Sequence, residues 1–511
     1  MTTRSQKNHE LLLLQARIHR SSNASSALNG TWIHAVAGPC NLEAAWSRVR
    51  QSDGCNTPGV DGQTRSDIDG QSAAWLDRIR EELTRGNYRP QAVRWIDVPK
   101  SRPAINTLIT PRREVGTLSM RRIGILTLRD RVVHAALKQI LEPILEKHFY
   151  DNSFGFRPGR SVAAAVDRAA QMLSSNGPRS YYPWTVRLDV ADCFDTIQHQ
   201  PLLQTLTTHI PDQALMKLLR DLLTAGGTCA RVGWIPFLRR NVMQGLVQGS
   251  PLSPLLCNAY LNDLDHCLAA EQRACGDYVL LRYADDMLLL AVSRAAAHRA
   301  VALIKRQLSS IGLRLKRSKC ATSQSHLGVE WLGLCLAPRT RQQAWRRRLE
   351  YGYNIPDEKV GNLLARIEEM TVPPSTRIDV QTFDLSRWLV SLNTQLRQWR
   401  QAYLYADDGP EVFHIIDDYI QVRVAQLLRL LTGNSMRDVR RHYRIRLSRG
   451  FFTWQIYGCR LIVLSLLAPH RPHRLIRPPD WTRASLLARE ESAATGPVRS
   501  TPALTTTEIP S

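Results

Sequence analysis

A chain of 511 residues with a formal net charge of +23, 43% hydrophobic and 22% charged, is too long for one core and too ordinary in composition to be fibrous or wholly disordered. Its excess of cations calls for a polyanionic partner, for which nucleic acid is the usual candidate. Ten scattered cysteines without a CxxC pair exclude a disulfide framework and a zinc ribbon, and no apolar run reaches the roughly 20 residues of a membrane span.

After a polar start, "NLEAAWSRVRQSDGCNTPGVDGQ" (Asn41 to Gln63) predicts a helix running into a Gly/Pro loop, and Ser72 to Pro90 an amphipathic helix stopped at Gly86. Leu128 to Phe149 has apolar residues near helical spacing, with Pro143 expected to kink or split it. Tyr181 to Ile197 starts β-rich and turns helix-compatible, and a glycine- and proline-bearing loop from Met243 feeds a helix. "YVLLRYADDMLLLAV" (Tyr278 to Val292) reads as a β-hairpin, with Arg282 to Asp286 as the tight connection, and Arg294 to Ile311 as a helix closed by Gly312. This alternation gives an α+β body to about residue 340. Charged and polar residues crowd between Ala337 and Pro356, and from about Ala365 the pattern is mostly helical. From Arg423 to Arg477 there are twelve arginines against the single acid Asp438, a candidate nucleic-acid surface. The tail from Pro478 is rich in Ser, Thr, Pro and Ala and is expected to be disordered.

Two adjacent carboxylates, Asp285 and Asp286, at the tip of an apolar hairpin repel each other and call for a compensating cation. A third, Asp189, closes the alternating run "TVRLDVADCFDTI", followed by Asp192 and Asp195 at the turn into a helix. Carboxylates from separate strands that bridge two divalent ions are the usual apparatus of in-line phosphoryl transfer, and Mg²⁺ suits an all-oxygen donor set, with Mn²⁺ as a substitute. An Asp-rich surface turn is the plain alternative for the hairpin tip alone.

The chain resembles the reverse transcriptases encoded by group II introns, which also act as splicing maturases. The resemblance is carried, in order, by "GVDG", "LTRGNYRP", "SFGFRPGRS", "RLDVADCFDTIQH", "QGSPLSPLLCNAYL", "RYADD", "IGLRLKRSKC" and "VEWLGL", and more weakly by "LNTQLRQWRQAY" (Leu392 to Tyr403), over roughly residues 40 to 460. It implies a right-hand polymerase fold followed by a mostly helical maturase-like module. The domains expected are an extension at 1–40, fingers at 41–180, a palm at 181–340, a helical thumb and maturase-like region at 341–477, and the tail at 478–511.

Carried over by position, the resemblance makes Asp189, Asp285 and Asp286 the metal-binding acids and Phe194 the residue that blocks a ribose 2′-hydroxyl. Gln248 and Gly249 would shape the nucleotide pocket, and Lys319 and Arg121 would meet the triphosphate. Arg157 and Arg160 would contact template or primer. The partners implied are an RNA template, a DNA or RNA primer, dNTPs and a structured intron RNA, in a bacterial cytoplasm or at its nucleoid, with no membrane. The chain departs from the family where relatives commonly read something like "RPLGIPT": here it is "RRIGILT" (Arg121 to Thr127), after a long link, Ser101 to Met120. His470 and His473 alone make a poor metal site, so no endonuclease module is expected. Two other readings fit the sequence: a domesticated relative serving DNA repair or phage defence, and an RNA-binding splicing factor without polymerase activity.

Overall fold

The structure, a computed structural model, describes residues 4–21, 31–99, 120–175, 180–227, 243–343, 346–371, 384–447, 451–467, 476–477 and 479–482. The link Ser101 to Met120, apart from Met120 itself, His470 and His473, and all of the tail but 479–482 lie outside them.

The polar N-terminal extension contributes two helices, α1 (Arg4–Arg20) and α2 (Trp32–Val36), before α3 (Pro39–Gln51), α4 (Arg65–Asp69) and α5 (Ser72–Thr84). An antiparallel pair, β1 (Arg94–Pro99) and β2 (Met120–Ile125), keeps its register up to Pro99 opposite Met120. The long link therefore joins two strands already in register, and Arg121 keeps its place on β2. The helix α6 (Leu128–Leu145) is capped by Thr127, whose side chain accepts from Asp130 N–H, and of the kink or split expected at Pro143 the split does not occur. Proline has no N–H for the carbonyl of Gln139. Gln15 Nε2 of α1 donates to that carbonyl instead, at 2.8 Å, so the N-terminal helix repairs the bond that the proline removes.

Helix α7 (Val162–Leu173) leads to a four-stranded antiparallel sheet in the order β4-β5-β3-β6. Its strands are β3 (Trp184–Asp189), β4 (Tyr278–Tyr283), β5 (Asp286–Ala291) and β6 (Ala321–Gln324). Between β3 and β4 come α8 (Cys193–Thr196), α9 (His199–Thr207), α10 (Gln213–Gly227) and α11 (Ser253–Cys275), and α12 (Arg294–Ser310) follows β5. Both faces of the sheet are buried. Leu280, Met287 and Leu289 point into a core shared with α3, α6, α9 and α11, while Val279, Leu281, Leu288 and Leu290 join a second core with α7 and the C-terminal half. Two-sided burial explains why the hairpin reads as continuous apolar runs rather than as alternation.

The C-terminal half, expected to be mostly helical from about residue 365, also carries two small sheets. A hairpin of β8 (Leu334–Gln343) and β9 (Arg346–Asn354), joined at its edge by β7 (Val329–Trp331), spans the polar stretch around residue 340. Helices α13 (Asp357–Thr371), α14 (Leu385–Tyr403), α15 (Gly409–Thr432) and α16 (Met436–Tyr443) follow, and then a small sheet of β10 (Arg444–Arg446), β11 (Phe452–Ile456) and β12 (Cys459–Arg460). Trp481 is buried against the N-terminal helices, 6.2 Å from the His19 ring, so the tail expected to be disordered includes a segment anchored by a large apolar side chain. Among the described residues, every cysteine is a free thiol and no helix is long and apolar enough to cross a membrane.

Candidate active site

The sheet brings the three aspartates together. Asp189, the last residue of β3, lies in register with Asp286, the first of β5. Tyr283 pairs with Asp286, so the hairpin turn is only Ala284 and Asp285, with Ala284 at a left-handed φ of +57°. The neighbouring chain also fixes the strand end: Val190 N–H donates to Asp285 O at 3.2 Å and Lys316 N–H to Asp189 O at 2.7 Å.

Arg282, expected in the connection, belongs instead to β4 and is fully buried. Its Nε donates to both carboxylate oxygens of Asp265 at 2.9 Å, and its Nη1 to Asn258 Oδ1 at 2.9 Å and to the turn carbonyl of Ala284 at 3.0 Å. A buried ion pair thus holds the turn that carries the acids.

The acids face a cleft of about 1340 Å³. Its walls include Arg121, Asp189, Phe194, Gln248, Gly249, Asp285, Asp286 and Lys319, eight of the ten residues singled out from sequence. Gly249 has φ of +111°, and a Cβ there would come within 2.9 Å of the Gly124 carbonyl, so this loop needs glycine to approach β2. Gly124 N–H in turn donates to Gln248 O at 2.8 Å. Phe194 packs its ring against the first core from the cleft side.

Electrostatically the tip is under-compensated. Burial, with the charge of Asp189 adding to it, raises Asp285 above the ordinary carboxylate range. Asp286 is pushed up to about 6, mainly by burial and then by Asp189 and Asp285, although Trp331 Nε1–H donates to its Oδ1 at 3.0 Å. Two cations answer them in part: Arg121 acts on Asp285 through its charge, and Lys319, whose ammonium is bonded to Asp189 Oδ2, is held above its usual pKa by that bond. Among the described residues no three His, Cys, Asp or Glu side chains converge as a ready-made metal cage. The chemistry of the set nevertheless fits a hard divalent cation: three carboxylates line one cleft, and two of them carry charge that burial disfavours.

Two candidates lie elsewhere. Arg157 is corrected to an internal anchor. It is buried, its Nε and Nη2 donate to Glu146 at 3.0 and 2.7 Å, and its Nη1 donates to the carbonyls of Tyr150 and Ser153. All three of its nitrogens thus already donate within the protein. Arg160 lies outside the cleft wall, bonded to Asp151 and over the Phe154 ring. Trp331 was missed because an indole inside "VEWLGL" looks like core until the fold sets its N–H against Asp286.

Residues 110–336 match the family described as reverse transcriptase (RNA-dependent DNA polymerase). The chain is 30% identical over 351 residues to Protein YkfC of Escherichia coli, covering 62% of this chain and 84% of that protein. It is 32% identical over 221 residues to the group II intron-encoded protein LtrA of Lactococcus lactis, 43% of this chain and 32% of LtrA. It is 27% identical over 227 residues to a COX1/OXI3 intron 1 protein of Saccharomyces cerevisiae, 44% of this chain and 24% of that protein. Against the two intron proteins the match thus spans no more than about a third of their length.

Proposed function

The chain belongs to the reverse transcriptase family of group II intron-encoded proteins, RNA-directed DNA polymerases by class, and on that premise we propose that it extends a primer 3′-hydroxyl with dNTPs by a two-metal reaction at Asp189, Asp285 and Asp286. The observation that carries this reading is the meeting of three carboxylates from two strand ends in one cleft, with Asp285 raised by burial and Asp189, and Asp286 by burial, Asp189 and Asp285. Asp189 and Asp285 would hold two Mg²⁺ ions, or Mn²⁺ in their place, and Asp286 would complete the donor set. When bound, such ions favour deprotonation of the attacking hydroxyl and neutralise charge on the transferring phosphate.

The chain's own groups position the substrates. Lys319 exchanges Asp189 for the incoming triphosphate, which Arg121 also meets from β2. Gln248 and Gly249 bring loop backbone and an uncharged amide against the nucleotide and template. Phe194 fills the space that a ribose 2′-hydroxyl would need, which favours dNTPs. Arg160 remains the candidate for a template or primer phosphate in its segment. The arginine-rich segment 423–477 binds structured intron RNA and gives the chain a splicing role in the bacterial cytoplasm, with RNA template and DNA or RNA primer as its other partners.

The test is dNTP incorporation on an RNA template with an annealed DNA primer and Mg²⁺, comparing the native chain with Asp285→Ala/Asp286→Ala, both checked for folding. The double variant is expected to lose activity by about 10³-fold or more, the scale of several kcal/mol of lost charge stabilisation. A folded native chain that is inactive with Mg²⁺ and with Mn²⁺ overturns the reading.

A further inference from the structure

Beside the catalytic cleft lies a second cavity of about 380 Å³, and Arg48, Lys138 and Phe156 line both. Its far wall is the anchored C-terminal segment. Arg477 N–H donates to Gly159 O at 2.8 Å, and Gly159, at φ of +72°, leaves no room for a Cβ against the Arg477 carbonyl.

Three features of this cavity have no role in the chemistry at the aspartates. Its lining carries Arg48, Lys138, Arg157 and Arg477 against Glu142 and Asp480. Arg157 is spent on Glu146, and Lys138 lies 3.5 Å from Glu142, which leaves Arg48 and Arg477, both exposed, as its outward cations. Next, Trp481 is only 4% exposed, and its indole N–H finds no acceptor among the described residues. A buried donor without a partner is costly, and a ligand oxygen in the cavity would satisfy it.

The third feature is Phe156, at the threshold between the two cavities. It is 50% exposed and sits at φ of +57°, where bulky side chains are strained. The strain is imposed by docking onto the acid-bearing hairpin. Phe154 N–H donates to Arg282 O at 2.8 Å, Asn258 Nδ2 to Gly155 O at 2.7 Å, and Gly155 packs so close to Ala284 that a Cβ would come within 2.4 Å of its nitrogen. An aromatic ring is therefore displayed at a fixed place beside the turn, 6.4 Å from the ring of Tyr283. Strain maintained at the mouth of a site, for an exposed ring, points to a ligand contact.

Cations for a backbone, an aromatic face for a base and a free buried N–H are the elements of a single-strand site. Stacking on an aromatic ring needs an unpaired base, and ahead of the primer terminus the template is the strand that is unpaired. We propose that this cavity binds the unpaired template strand entering the cleft, with Phe156 stacking on a base, Arg48 and Arg477 meeting phosphates, and Trp481 donating its N–H. This rests on the polymerase reading above and adds to it a path for the template.

The test measures binding and extension of two RNA-template/DNA-primer duplexes by the full chain, one nearly flush-ended and one with a long unpaired 5′ RNA overhang. The native chain is expected to bind the overhang substrate more tightly. Phe156→Leu should lose about tenfold of that gain, the scale of one base–aromatic stack, and Phe156→Tyr should keep it. Arg477→Glu, whose fold contact is made by its backbone, should weaken the overhang substrate alone. Phe156→Gly, which relieves the strained backbone, should melt no lower than native yet lose the overhang gain. Equal binding of both substrates by a chain that extends the flush one overturns this site and leaves the polymerase standing. Failure to bind or extend either substrate overturns both.

Discussion

Two charged clusters sit within three residues of each other on one hairpin and are solved in opposite ways. Under the turn, Arg282 and Asp265 are each about 1% exposed and are paired twice over, with Asn258 and the Ala284 carbonyl taking the remaining guanidinium donors. At the tip, Asp285 and Asp286 are partly buried beside Asp189, and the Lys319 ammonium, the Trp331 indole N–H, a backbone N–H and the more distant Arg121 charge compensate them only in part, since both stay above the ordinary carboxylate range. The first cluster is a finished interaction, with nothing left for a ligand. The second is left short of positive charge, which is the condition for binding a cation. A charge that the fold fully satisfies is there for the fold, and one that it leaves unsatisfied is there for a substrate or cofactor.

The contrast can be broken hardest at its finished half. Asp265→Ala leaves a buried guanidinium without its partner and is expected to cost about 3–5 kcal/mol, read as a lowered denaturant midpoint. A loss below about 1 kcal/mol would mean that the pair is as dispensable as a surface bridge.

The unfinished half should show itself in pH. In the folded chain Asp286 keeps its proton up to about 6, whereas unfolded it loses it near 3.8. Between those values the folded state binds the extra proton, so on this account stability falls as pH rises through the window. Asp286→Asn should flatten that part of the stability profile, and Mg²⁺ at neutral pH should raise the native melting temperature more than that of the variant. Identical profiles for the two proteins would remove the tip's claim to frustrated charge.

The smallest effect tests the same rule on an uncharged group. Gln15→Ala strips the donor from the Gln139 carbonyl that Pro143 leaves bare, with an expected cost of about 1 kcal/mol. In a Pro143→Ala background, where an N–H is restored, the same substitution should cost less, and an unchanged cost would show that Gln15 acts only through packing.

Legibility followed the range of the interactions. The acids, the hairpin and most helices were readable because adjacent carboxylates and apolar periodicity are local signals. Arg282 was misplaced into the connection because its partner stands seventeen positions earlier, on α11, and nothing local marks an arginine as buried. Arg157, expected from the resemblance to contact template or primer, is misplaced for the same reason, its acceptors being known only once Glu146 and the loop carbonyls close around it. The strands β8 and β9 escaped notice because dense charge masks period-2 alternation. Helices in the N-terminal extension escaped because its first residues are polar.

By itself the sequence determined the donor chemistry, the order of the motifs and the α+β alternation, since residue type and spacing along the chain fix which groups can ionise and which segments can bury a face. Only the tertiary structure decided which of those charges remain available. Availability depends on partners drawn from distant segments: Asp265 under Arg282, Glu146 under Arg157, Lys319 and Trp331 on the acids, and a C-terminal tryptophan closing a cavity at the far end of the chain.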